Sequence, residues 1–371
     1  MAYFLLDLLA LGCINAIMVV GLNLQYGYAG VLNFTYYTFV ALGAYVAAVT
    51  TMGAPPTNFG VEHYALQWAL PWPVGLLLAG TAAAVAGLLM LLLTIRRLRS
   101  DYLAIVTVSV GFIVWNFITN YIPLFDGSNG IFGIPYILNG AGVDEPTYTA
   151  EILAIAAMIL AGCLWVSWRI FRSPFGRVLR AVREDEIVAE SFGKDTRAAK
   201  IWVFVIGSFM AGVAGGLLAF YLTAWSPAAF LPEESFILFA ALVIGGSGNY
   251  WGALVGAFVI IELLSEISRY LPSFGHASVI GAGRAILIGV VLILILQFRP
   301  EGMLPERRLR WYRARALPTG PAQGAPPAGT GALTAAPLDP SMGAGGMPAT
   351  GEYRSAGARD RLRAIFRRDL G

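Results

Sequence analysis

Glu184, Asp185 and Glu186 form an acidic knot in a stretch that is otherwise basic, Arg169 to Lys200, lying between two apolar runs long enough to cross a bilayer. The residue types suit docking. Pro174 fits the first turn of a helix over Phe175–Val182, where Val178, Leu179 and Val182 recur at helical spacing and Arg177, Arg180 and Arg183 project from the other side. Asp185 and Glu186 place negative charge at the start of a second, shorter helix, and Gly193 supplies its left-handed stop. Val188, Ser191 and Phe192 then make a narrow apolar face. A solvated linker has no use for an exposed phenylalanine on a short capped helix, so the segment reads as a docking element for another protein.

A second group of polar residues lies at or near membrane depth. In LNLQYGYAGVLNFTYYTFVALGAYVAA, Asn23, Gln25 and Asn33 mix with Tyr26, Tyr28, Tyr36 and Tyr37. Such side chains are costly in a bilayer unless they pair or face a cavity. Two roles are therefore open: lining a translocation path, for which Asn23, Gln25, Tyr28, Asn33, Tyr36 and Tyr37 are the candidates, and hydrogen bonding between helices. Glu262 and Glu266 are one turn apart, with Arg269 placed to pair with Glu266. The deeper Glu262 is expected to find a partner on a neighbouring helix, Arg284 being one option, or else to act as a proton-linked carboxylate. His63 and His276 fall in loops, and no Ser/His, His-Glu or paired-Asp arrangement occurs within the apolar runs, which argues against an intramembrane enzyme. Cys13 and Cys163 sit inside apolar runs as small buried side chains, with neither a disulfide nor a metal site suggested.

The elements that must position these groups are membrane spans. Of the 371 residues, 57% are apolar and 13% charged, outside the range of soluble globular chains. Runs fit for crossing are Phe4–Leu24, Phe34–Met52, Val74–Ile95, Tyr102–Ile122, Ile152–Phe171, Ile201–Leu222, Trp251–Ser268 and Ala282–Phe298, with Ser235–Ile244 as a half-length helix. The expectation is an all-α polytopic membrane protein with about eight or nine transmembrane helices, or eight and a re-entrant segment. Of the 25 Lys and Arg residues, only Arg269 and Arg284 lie outside three clusters: Arg96, Arg97 and Arg99; Arg169–Lys200; and everything from Arg299 onward. The positive-inside rule puts these clusters in the cytoplasm, the N-terminus outside and the C-terminus inside. With no basic leader and no small-residue cleavage site, Phe4–Leu24 is expected to be a retained span.

Residues 1–305 thus form a transmembrane domain with a cytoplasmic loop at 169–200, and 306–371 a cytoplasmic tail. Pro, Gly and Ala dominate the tail from Leu317 to Gly351, so it is expected to be disordered. It closes on a basic segment, Arg354–Arg368, where Leu362, Ile365 and Phe366 share a helical face; a solvated tail and weak attachment to anionic membrane lipid are the two readings. Gly207, Ala211 and Gly215, and again Gly248, Gly252 and Gly256, are spaced four apart, which lets helices approach closely; for the second set, backbone lining a substrate path is the alternative.

The run GRVLRAVREDEIVAESFGKDTRAAKIWVFVIGSFMAGVAGGLLAFY resembles the coupling loop and following helix of ABC importer permeases of the branched-chain amino-acid family, and is most similar to their M-type subunit. RRLRSDYLAIVTVSVGF, DGSNGIFGIP, VIGGSGNYWGALVGA and FRPEGMLP follow the family order, so the resemblance spans about Leu22 to Pro305. VLNF at Val31–Phe34 is closer to the partner H-type permease, and Phe112 and Trp115 stand where relatives commonly hold an acid and an arginine. The resemblance implies a short helix that inserts into a cleft of an ATPase subunit, with Glu184, Asp185, Glu186, Ala189, Glu190, Ser191, Phe192 and Gly193 at the contact. Gly193-Lys194 lacks the upstream glycine of a phosphate-binding loop, so the chain is expected to bind no cofactor while ATP is hydrolysed by partner subunits. The implied partners are an H-type permease, two ATPase subunits and an extracytoplasmic substrate-binding protein, in a bacterial inner membrane, with no nucleic acid. The implied substrates are branched-chain or related amino acids. The rival of a different class is an ion-coupled secondary transporter of a small solute, for which Glu262 is nearly the only embedded titratable candidate.

Overall fold

The computed structural model describes residues 2–53, 66, 68–94, 100–138, 144–231, 234–263 and isolated positions between 266 and 304. The chain divides into Met1–Leu309 and Arg310–Gly371, and the second unit, which holds most of the expected tail, lies outside the described residues.

Helix α1 (Ala2–Leu22) runs into a π-helical turn at Asn23–Tyr28 and is followed by α2 (Tyr36–Thr51), α3 (Trp72–Thr94), α4 (Ser100–Asn120) and the single turn α5 (Ile122–Phe125). Then come α6 (Glu145–Arg172), α7 (Pro174–Glu184), α8 (Glu186–Ser191), α9 (Thr196–Leu222) and α10 (Glu234–Gly245). The last described element, α11 (Tyr250–Gly256), continues as a π-helix over Ala257–Leu263. Two short strands depart from a purely helical plan: β1 (Ile131–Phe132) pairs antiparallel with β2 (Ala224–Trp225), Ile131 opposite Trp225.

Among the described residues, six helical segments are long and apolar enough to cross a membrane, and Tyr36–Thr51 and Tyr250–Leu263 are shorter apolar helices. The chain is therefore a multi-pass, essentially helical membrane protein. The expected run Ala282–Phe298 falls mostly outside the described residues. Helix α6 begins at Glu145, well before the apolar run at Ile152, because Glu145 and Pro146 form a favourable first turn.

Helix α9 is the centre of the bundle. Its middle, from Met210 to Phe220, is continuously buried against α1, α2 and α3. The cause is side-chain size: Gly207, Gly212, Gly215 and Gly216 leave the helix almost without side chains on the faces that meet its neighbours. A Cβ on Gly215 would run into the Val40 carbonyl of α2, and one on Gly212 into the Ala79 backbone of α3. Dispersion between closely approaching backbones replaces the hydrophobic drive that is absent between helices in lipid.

Helix α4 is held differently. Thr35 Oγ1 donates to the Thr107 carbonyl at 2.6 Å, the Phe34 N–H donates to Thr107 Oγ1 at 3.1 Å, and Trp115 Nε1 donates to the Pro227 carbonyl at 3.0 Å. Side-chain-to-backbone bonds in both directions thus join α4 to the α1–α2 connection, and one from Trp115 joins it to the segment after β2.

Candidate coupling site and polar interior

The loop between α6 and α9 is built by local sequence signals. Ser173 Oγ accepts from the Gly176 N–H at 3.2 Å and Pro174 opens α7. Leu179 and Val182 are buried while Arg177 and Ala181 face out, so α7 lies against the bundle by its apolar side. Asp185, extended at φ −157°, then caps α8 by accepting from the Val188 N–H at 3.0 Å. At the far end Gly193 sits at φ +71°, a backbone region that side chains with a Cβ resist, and its N–H returns to the Glu190 carbonyl at 2.8 Å.

The candidate contact residues divide into two sets. Glu186 pairs with Lys200 Nζ at 2.6 Å, Glu190 Oε1 accepts from Thr196 Oγ1 at 2.7 Å, and Ala189 is buried, so these three moor α8 to the start of α9. Glu184, Asp185, Ser191, Phe192 and Gly193 are exposed, with Ser191 Oγ donating back to the Ile187 carbonyl at 2.9 Å. The free apolar face comprises Ile187 at 77%, Val188 at 48% and Phe192 at 79% exposure. Ile187 was not singled out from sequence; it joins Val188 and Phe192 as an apolar member of the face, with Ser191 exposed beside them. Its single signal is the i, i+1 and i, i+5 spacing from Val188 and Phe192, which a six-residue helix hardly distinguishes.

The polar patch at the end of α1 is bound into the interior. Gln25 Nε2 donates to the Phe204 carbonyl at 3.0 Å and to Ser208 Oγ at 3.2 Å, while its Oε1 accepts from Asn33 Nδ2 at 2.8 Å. Asn33 Oδ1 accepts from the Thr35 N–H at 3.1 Å, and Asn23 Oδ1 from the Gly248 N–H at 2.9 Å. Tyr36 donates its hydroxyl to the Gly207 carbonyl at 3.2 Å. Asn23, Gln25, Tyr28, Asn33 and Tyr36 are all buried, and the Asn23 Nδ2 has no hydrogen-bond partner. Tyr37 is half-buried and stands apart, lining a cavity of about 190 Å³ with Asn15, Glu234, Glu262 and Glu266 among others.

Glu262 is buried in the π-helix after α11, and Asn15 Nδ2 donates to its Oε1 at 2.5 Å. Its observed partner is thus on α1; Arg284 and Arg269, the cations expected beside Glu262 and Glu266, lie outside the described residues, as do His63 and His276. Cys13 and Cys163 are free thiols. A connection not visible in the sequence joins the two sites: Arg183 Nη1, from the end of α7, donates to the Gly27 carbonyl in the π turn of α1.

The glycine-rich turn packs backbone on backbone. Gly252 and Gly256 lie against Gly245 and Ala241, Gly246 lies against Gly302 and Leu304, and the N–H groups of Met303 and Leu304 donate to the Ile244 and Gly245 carbonyls at the end of α10.

The sequence is similar to those of transport proteins. The profile of a family described as branched-chain amino acid transport system / permease component matches residues 4–296. The high-affinity branched-chain amino acid transport system permease protein LivM of Escherichia coli is 30% identical over 81% of this chain and 70% of its own length. A probable branched-chain amino acid transport permease protein LivM of Methanocaldococcus jannaschii is 27% identical over 78% of this chain and 90% of its own, and the LivH permease of Salmonella typhimurium is 29% identical over 81% and 96%. No solved structure matches the chain. With a family profile covering most of its length, the chain belongs to the branched-chain amino acid ABC transporter permease family.

Proposed function

We propose that this chain is one of two pore-forming subunits of an ATP-driven importer for branched-chain or related amino acids. It pairs with an H-type permease, takes substrate from an extracytoplasmic binding protein and is moved by separate ATPase subunits that hydrolyse ATP, while binding no cofactor itself. The observation that carries the reading is α8: a helix of six residues, capped at both ends, moored by one side and showing Ile187, Val188 and Phe192 on the other. Exposed apolar side chains on a rigid, charged-rimmed helix fit a cleft in a partner protein. The positive-inside rule sets this loop and the C-terminus in the cytoplasm of a bacterial inner-membrane protein with eight or nine crossings.

Asn23, Gln25, Tyr28, Asn33, Tyr36 and Tyr37 are assigned to the translocation path. Tyr37 lines a cavity, which supports this role for it, while the hydrogen bonds of Gln25 and Tyr36 to α9 and of Asn33 to Gln25 are also those of helix packing. Reconstitution of the chain with an H-type permease, the ATPase subunits and the binding protein tests the reading. Uptake of a branched-chain amino acid should require ATP on the loop side and fail without either permease. Uptake by this chain alone, driven by an ion gradient, would establish a secondary transporter instead.

A further inference from the structure

Helix α3 meets α2 closely near its start and α9 farther along. A Cβ on Gly75 would run into Thr51 of α2, whereas one on Gly80 or Gly87 would meet Phe209 or Ser208 of α9. Beside this change of neighbour lies an open groove of about 450 Å³, within the roughly 300–1,000 Å³ typical of ligand sites. Val46 and Thr50 of α2 line it together with Leu78, Val85 and Leu89 of α3, and the small side chains of Ala82 and Ala86 give it depth.

The lining has the chemistry of hydrocarbon. Its two hydroxyls are committed within their own helices: Thr50 Oγ1 donates to the Val46 carbonyl at 2.6 Å and Thr81 Oγ1 to the Leu78 carbonyl at 3.0 Å. No lining residue is charged, and the indole N–H of Trp68 is the one other polar side-chain group. An amino acid or another polar solute would bury its charges here without compensation.

Length and depth identify the occupant. From Leu78 to Leu89 the groove runs about 17 Å at ~1.5 Å per residue, close to the ~15 Å of one leaflet in a hydrocarbon core about 30 Å thick. The end near the α2–α3 connection is bounded by Leu66 and Trp68, the latter 56% exposed, and tryptophan is a side chain that marks the headgroup boundary. This roof is tied to the end of α2, where the Ala69 N–H donates to the Met52 carbonyl at 3.3 Å and the Leu70 N–H to the Thr50 carbonyl at 3.0 Å. Leu66 and Ala69, on either side of Trp68, hold left-handed backbone at φ +81° and +49°, which residues other than glycine keep only where the surrounding structure imposes it.

We propose that this groove is a binding site for one acyl chain of a membrane phospholipid, lying lengthwise between α2 and α3 with its ester end beneath Trp68. Lipid tails and groove are equally apolar, so retention rests on dispersion contacts along a fitted slot, with no recognition of the headgroup. The site is independent of what the protein carries.

The full-length chain, purified in detergent, is titrated with dipalmitoylphosphatidylcholine and separately with dipalmitoylphosphatidylglycerol, and retained lipid is counted by native mass spectrometry. Ala82→Leu combined with Ala86→Leu fills the groove with the chain's own side chains, and should hold one lipid fewer, or hold it at least about tenfold more weakly than the wild type. The loss should be equal for the two headgroups. Trp68→Ala opens the roof away from the contact of α3 with α2 and α9, and should weaken retention as well. Leu93→Ala, on α3 but outside the groove and 80% exposed, should match the wild type. Thermal unfolding of each variant in lipid-free detergent separates lost binding from a folding defect, and if the filled variant is misfolded Trp68→Ala decides. Wild-type retention by the folded filled variant or by Trp68→Ala overturns the proposal and leaves the groove to bulk lipid. A loss confined to one headgroup overturns it too, since no lining side chain could read that difference. So does release of the lipid when an H-type permease binds, which gives the groove to a protein surface.

Discussion

Replacing Phe192 with alanine tests the proposed ATPase contact most directly, because the side chain does little within the chain itself. It is 79% exposed, and its backbone N–H bonds the Val188 carbonyl whatever the side chain. Folding and insertion should therefore be unchanged. A phenylalanine offers roughly 200 Å², so about 160 Å² is open to a partner at that exposure. Truncation removes about two-thirds of this area, which at ~25 cal/mol per Å² gives about 2–3 kcal/mol, in the range of interface hot spots. Association with the ATPase subunit should weaken roughly 30- to 150-fold, and ATP-driven uptake should fall with it. Binding is read by titrating purified ATPase subunit onto the permease in nanodiscs, and uptake in proteoliposomes with the same preparation. Adding Gly193→Pro should complete the loss, since proline cannot adopt φ +71° or supply the N–H that reaches Glu190. Normal ATPase binding and full uptake by the well-inserted double variant would refute the assignment of α8.

Three further outcomes are expected. Asp185→Ala removes the α8 cap and about 1 kcal/mol of helix stability, so amide exchange over residues 187–192 should speed up and coupled ATPase activity drop, with Asp185→Asn close to wild type. Gly215→Ala should lower stability by about 1–3 kcal/mol by forcing α2 from α9, whereas Gly162→Ala, with open space at the new Cβ, should be neutral or slightly stabilising; thermal unfolding in detergent separates them. Glu262→Gln keeps an acceptor for the Asn15 amide, so ATP-dependent uptake should persist. Uptake driven by a pH gradient alone and abolished in that variant would instead establish the ion-coupled carrier.

The helices of the loop between α6 and α9 were legible because their determinants are local. Pro174, Asp185 and Gly193 each fix a helix end through contacts within four residues, and α7 and α8 form where those signals place them. What stays hidden is set at long range. Gln25 could be read as a polar residue needing a partner, but its partners Phe204 and Ser208 lie some 180 residues on, and only the packing of α9 brings them there. The same holds for Glu262, whose observed bond is to Asn15 at the opposite end of the bundle's sequence. The face of α8 was read incompletely: Ser191 is exposed with Val188 and Phe192, and Ile187 joins them because mooring by Glu186, Ala189 and Glu190 turns it outward and no periodicity survives in six residues. The early start of α6 escaped a count of apolar residues because its first two turns are polar.

The bond from Arg183 to Gly27 makes the loop a lever with two attachments. One arm is covalent: α8 continues within a few residues into α9, stiffened by Glu186 to Lys200 and by Glu190 to Thr196. The other runs through the guanidinium to the π turn that ends α1, where the widened helical ladder is least resistant to rewinding. These same two helices touch backbone to backbone at Gly21 and Gly207. On the proposed function, a push on α8 would reach α9 through the chain and α1 through Arg183 and Gly27, two helices that share a fulcrum, and would twist the turn at Asn23–Tyr28. The polar side chains anchored on that turn would be the first in the membrane to be rearranged.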